Sequence, residues 1–165
     1  MKRIALHFSR IAKAALYIAF VTSWLSGTAW FSMHQWVRIQ GDFGEEHSAW
    51  EPALIKIHGG SAMVMMVFYG YLLASHVPIG LRSKRNRLLG LTLTYGIAFM
   101  IFTAYGLYYI GGESFRSVVS WAHFSVGFLL PFVLALHVWS GHFTSRWVMK
   151  DIPEKIDYFT PKALK

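Results

Sequence analysis

Eight histidines, eight carboxylic acids and not one cysteine set the chemistry open to this chain of 165 residues. Without thiols there can be no disulfide, thiolate metal site, iron–sulfur cluster or C-x-x-C-H attachment of c-type haem. Imidazole remains the side chain able both to carry a proton near neutral pH and to hold a transition metal. Four histidines, His58, His76, His123 and His137, lie inside long apolar stretches. An ionisable residue in such a place is costly and marks a functional pathway by default. One alone is equally well explained by a hydrogen bond between helices, but four invite a common explanation.

Their spacing supplies one. His58 and His76 are 18 residues apart, which is five turns at about 3.6 residues each, so on a straight helix they share a face roughly 27 Å apart. His123 and His137 are 14 apart, within about 40° of the same face and roughly 21 Å apart. If both stretches cross a membrane in the same direction, His58 matches His123 in depth and His76 matches His137. A planar macrocycle with iron at its centre takes one imidazole from each face, and ligation by two histidines suits electron transfer. Two such groups would form a wire through the bilayer. The spacings differ by about 6 Å of rise, which tilt or a kink at Pro131 must absorb. His142 is the alternative to His137: its distance from His123 suits the other pair better, but it points about 100° away on an ideal helix.

The elements that must position these residues are apolar spans. The residues are 55% hydrophobic and 17% aromatic, a composition of the membrane class. Four stretches, at about 11–33, 53–78, 88–110 and 118–142, are each long enough to cross a hydrocarbon core of roughly 30 Å as a helix. The first follows Lys2, Arg3, Arg10 and Lys13, as a signal peptide would, but its apolar run is too long and no small-x-small cleavage site follows. A retained helix is expected. The fold class is therefore all-α, an integral membrane four-helix bundle in residues 1–150, with 151–165 as a tail.

Charge orients it. The N-terminal segment, the connection with Arg82, Lys84, Arg85 and Arg87, and the tail with Arg146, Lys150, Lys155, Lys162 and Lys165 hold every basic residue except Arg38, Lys56 and Arg116. The positive-inside rule places both termini in the cytoplasm of a bacterial-type inner membrane. Asp42, Glu45, Glu46, Glu51 and Glu113 then fall on the periplasmic side, with Trp30, Trp36, Trp50 and Trp121 near that boundary. The net charge of +8 thus reports topology, with no aromatic-interleaved basic stripe to suggest nucleic acid. Lipid is the expected surroundings.

Other residues follow from this frame. Gly59 and Gly60 beside His58, Gly70 in mid-span and Gly127 one turn beyond His123 would let a flat cofactor approach the backbone, although small residues are ordinary in membrane helix packing. Arg38 and Arg116 could pair with propionates of the outer haem, and the Arg82–Arg87 group with the inner one or with lipid phosphate. His34 and His47 adjoin the outer loop, where a quinone, a propionate or nothing would meet them, and His34 is a rival to His58 if the first helix turns inward. His7 reads as interfacial. Met63, Met65 and Met66 offer thioethers but read as packing. His142 with Arg146 is a candidate quinone contact.

The segments IKIHGGSAMVMM, SHVPIGLRSKRNR, AYGLYYIGGE and WAHFSVGFLLPFVLALHVW, between Leu54 and His142, resemble the bacterial four-helix b-type cytochromes, the broad group of cytochrome b561 and nickel-hydrogenase b-subunits. The resemblance implies non-covalent haem b, bis-histidine ligation by His58, His76, His123 and His137, and electron passage between membrane quinone and a partner redox subunit. That partner would be a periplasmic protein such as a c-type cytochrome or a dehydrogenase subunit. The expected role is a diheme electron-transfer subunit, not an enzyme by itself, with a monohaem form relying on His58 and His123. Two rivals are a proton or metal-ion transporter with a histidine relay, which wants mid-membrane acids that are missing here, and a haem-free anchor or scaffold.

Overall fold

Local chemistry marks the starts of three of the helices. The computed structural model of the chain describes residues 9–42, 44–83 and 86–150, the side chains of residue 83 and of 142–150 excepted. Lys2, Arg3, His7, Lys84, Arg85 and the 151–165 tail lie outside the described residues, as do the side chains of His142 and Arg146. The first helix, α1 (Arg10–Trp36), starts behind Ser9, whose hydroxyl accepts the Ala12 N–H at 3.1 Å and satisfies one orphan donor of the first turn. α2 (Glu51–Ala74) carries Pro52 in its first turn, where a missing N–H costs nothing. α3 (His76–Ser83), α4 (Arg87–Tyr109) and α5 (Glu113–Lys150) follow. α4 is entered through Asn86 with φ 51°, a left-handed conformation that asparagine adopts more readily than most residues.

The second span is not one straight helix. Ser75 interrupts it, and its N–H is shared between the carbonyls of Tyr71 and Leu72. Pro78 explains the position of the break. It has no N–H for the carbonyl four residues earlier, and its ring crowds that carbonyl, which belongs to Ala74, the last residue of α2. α2 and α3 together make one apolar span, Glu51–Arg82, and four spans in all are long and apolar enough to cross a membrane. The first and third spans agree with the sequence within a few residues, while the fourth helix is longer at both ends, from Glu113 to Lys150. α5 also runs on through Pro131.

One element departs from an all-α reading. Between α1 and α2 a short antiparallel hairpin pairs β1 (Ile39–Gly41) with β2 (Gly44–Glu46), in the register Ile39 with Glu46 and Gly41 with Gly44. Gly44 has φ +125°, a backbone open to glycine and to few other residues.

α1 packs along α2, α4 along α5, α1 against α5, and α2 lightly against α4. α2 and α5 are therefore diagonal partners across the bundle, and among the described residues they do not pack together. Aromatic rings make the α1–α5 seam: Phe31 stacks on Phe124 at 4.0 Å and meets Trp121 edge-on at 4.9 Å, while Trp24 leans on Phe128. The α2–α4 seam includes a hydrogen bond from the Tyr69 hydroxyl to the Thr94 carbonyl, at 2.9 Å. Little is buried. Ala19, Phe31 and Leu130 are the buried hydrophobic residues among those described, and the apolar stretch of the second span buries none of its residues. Such a surface suits lipid outside.

Candidate cofactor and metal sites

Two imidazole pairs cross the diagonal between the second span and α5. At the end nearer the β-hairpin, the ring centres of His58 and His123 are 6.2 Å apart with planes at 84°. Toward the other end, His76 and His137 are also 6.2 Å apart, at 79°. This separation lies within the range of edge-to-face ring contact. It matches two imidazoles on opposite sides of one metal ion, at about 2.0 Å from metal to each nitrogen and roughly 1.1 Å from nitrogen to ring centre. The break at Ser75 restarts the helix at His76, so the unequal sequence spacings still deliver two equal pairs.

The ring protons of the first pair can be placed. His58 Nδ1 lies 2.8 Å from the Ser23 carbonyl on α1. A carbonyl only accepts, so Nδ1 carries the proton and Nε2 the lone pair. His123 Nδ1 lies 2.7 Å from the Thr103 hydroxyl on α4. That hydroxyl has one hydrogen, already given to the carbonyls of Phe99 at 2.8 Å and Met100 at 3.2 Å. With that hydrogen kept on the Phe99 carbonyl, Thr103 accepts from His123 and the lone pair again falls on Nε2. Each ring is tethered through Nδ1 to the neighbouring helix of its own half, α1 for His58 and α4 for His123. This is how a ligating histidine is usually oriented by a second partner.

The other pair is built differently. The Asn86 amide donates to the His137 carbonyl at 2.7 Å, which fixes which way the amide faces, and the same nitrogen sits 3.3 Å from His137 Nδ1. There Nδ1 is the acceptor and the proton belongs on Nε2. The distance suits a shared metal, but the proton arrangement does not until Asn86 lets go of the ring. The first pair fits a bis-histidine iron better than the second.

The glycines sort themselves by contact. A methyl group on Gly27 of α1 would stand 2.7 Å from Cε1 and Nδ1 of His58. Gly27 is thus the close approach that lets the ring reach Ser23. Gly90 similarly faces His137. Gly59, Gly60 and Gly70 have nothing within 4 Å of where a side chain would begin. Gly127, expected beside a cofactor, instead faces the Met100 side chain and serves helix packing. Arg38 curls back to donate to the carbonyls of His34 and Val37, and Arg116 is exposed on the first turns of α5. Trp24 holds a buried indole N–H with no acceptor among the described residues.

A third group lies at the hairpin end. His34 from the last turn of α1, His47 from the loop after β2 and Glu51 from the start of α2 converge closely enough to hold a metal ion. His34 Nδ1 is 2.8 Å from one Glu51 oxygen and His47 Nδ1 is 3.1 Å from the other. The Glu51 side chain is 8% exposed, against 38% for His34 and 49% for His47. His34 is thereby committed to Glu51, sandwiched between Trp30 and His47. The i, i+4 spacing of His47 and Glu51 was visible in the sequence, but the arrival of His34 from another helix was not.

No protein-family model, no curated protein and no solved structure matches the chain.

Proposed function

We propose that the chain is a b-type cytochrome of the membrane, carrying electrons between the quinone pool and a partner redox protein, with His58 and His123 as ligands of one haem and His76 and His137 of a second. The observation that carries this reading is the His58–His123 pair, whose rings are spaced for a shared iron and tethered so that both Nε2 lone pairs are available. Its supports are chemical: no cysteine for covalent haem, and no acid mid-span for a proton or ion relay. The likeness of the histidine segments to the b561 and nickel-hydrogenase b-subunit group points the same way.

When bound, haem b supplies one-electron carriage. The chain's own part is to set its surroundings. Ser23 and Thr103 orient the first pair of rings, Gly27 makes room for one of them, and the apolar helices exclude water. Arg38 and Arg116 are placed at the end where propionates would need cations. The basic connection and tail favour cytoplasmic termini in a bacterial inner membrane. The acidic hairpin, with Glu45 and Glu46 exposed on its second strand, suits a basic periplasmic partner such as a c-type cytochrome.

The Asn86 contact with His137 favours a second reading in which the first pair alone is loaded. A dithionite-reduced minus oxidised spectrum of the detergent-purified protein, with a pyridine haemochrome assay, decides between them. Two haems b per chain support the diheme form, and one, lost in His58→Ala and kept in His76→Ala, supports the single site. No haem after expression with ample haem overturns both.

A further inference from the structure

The group at the hairpin end owes nothing to the interior imidazoles. Glu51 precedes His58 by seven residues on the same span, roughly 10 Å along the axis. A carboxylate with so little exposure is held here by two imidazoles from two other elements, and three exposed or half-exposed acids of the loop, Asp42, Glu45 and Glu46, stand on the same connection. We propose that His34, His47 and Glu51 form a binding site for a divalent transition-metal ion of the zinc or copper class, distinct from the interior pairs.

The donor set is two imidazole nitrogens and one carboxylate oxygen, which suits Zn2+, Cu2+ or Ni2+ rather than Mg2+ or Ca2+. His34 Nδ1 and His47 Nδ1 lie 2.8 and 3.1 Å from different oxygens of Glu51, and the three ligand atoms all fall within 4.8 Å of one another, so small side-chain turns bring them to the roughly 3.3 Å edge of a tetrahedron with bonds of about 2.0–2.1 Å. The Nδ1 protons now given to Glu51 would move to Nε2 or leave to solvent as the ion takes their place. Trp30 stacks on His34 at 4.8 Å and 13° and holds that ring. His34 and His47 lie parallel, 5° apart with centres at 4.6 Å, so a shared ion requires one ring to turn. His47, half-exposed on a loop, is free to do so. Three protein ligands leave a position for water or a partner's side chain, as in sites that are not purely structural.

The test uses full-length, detergent-purified protein without a histidine tag, stripped with a chelator and titrated with Zn2+ against a chromophoric zinc indicator. The expected result is one Zn2+ per chain, bound at least tenfold more weakly in His47→Ala and in Glu51→Gln and unchanged in a His58→Ala/His123→Ala double variant. Far-UV circular dichroism checks folding, and His47→Ala decides the matter if Glu51→Gln does not fold, because His47 is on the loop. Equal affinity in wild type and His47→Ala, or loss only in the double variant, overturns the proposal and leaves the trio as a hydrogen-bonded staple of the hairpin. Haem content, read on the same samples, fails or stands independently.

Discussion

Which nitrogen of a histidine carries its proton decides whether the residue can serve a metal, and neighbours decide that. The Ser23 carbonyl does so for His58, and the Thr103 hydroxyl, which also reaches the Phe99 carbonyl, is the partner of His123 Nδ1. Thr103→Val removes the acceptor while keeping the shape, so haem affinity at this pair should fall about 10–100-fold, with Thr103→Ser close to wild type. Haem titration of the purified variants measures it, and an unchanged affinity in Thr103→Val would show that the hydroxyl does not orient the ligand. The four interior histidines stood out in the sequence because imidazole is rare in apolar helices. Their partners did not. Ser23 acts through its backbone, which every residue has, and Asn86 reaches His137 across 51 positions.

At the scale of the element, two breaks in regular structure do the positioning. Pro78 ends α2 at Ala74 and lets α3 begin on His76, and Gly27 lets α1 lie against the His58 ring. Gly27→Ala pushes a methyl group to 2.7 Å from Nδ1 and Cε1 of that ring, beside the nitrogen that reaches the Ser23 carbonyl. The expected outcome is loss of most haem at this pair, while Gly127→Ala, which meets only the flexible end of Met100, retains it. A haem-replete Gly27→Ala would contradict the assignment. The spans were legible because apolar runs of this length have few other uses. Gly27 was not singled out, since its partner lies on another helix, and Gly127 stood out through the histidine near it in sequence, while its neighbour in the fold is Met100. The hairpin at Ile39–Glu46 has strands of three residues, too short to show an alternating pattern.

For the whole molecule, the distribution of basic residues makes a statement about sidedness that the absence of native cysteine renders easy to check. In cells, a membrane-impermeant maleimide should label Gln40→Cys on the hairpin without permeabilisation of the inner membrane, and Leu164→Cys in the tail only after it. The reverse pattern would place the hairpin in the cytoplasm and remove the argument for a periplasmic partner. Four spans were readable from composition, but how they pair was not. Helices of similar hydropathy carry no label for their neighbours, and the α1–α5 seam of Phe31, Phe124 and Trp121 is apparent only once the helices are together.

The slight seams between the two halves of the bundle bear on biogenesis. Each helical hairpin, α1 with α2 and α4 with α5, has its own extensive packing, whereas the seams between the two hairpins are slighter. Any ligand that binds only the assembled pair adds its binding free energy to that closure. If haem is such a ligand, as proposed, chains made when it is scarce would persist as two loosely associated halves, and protein abundance would follow haem supply.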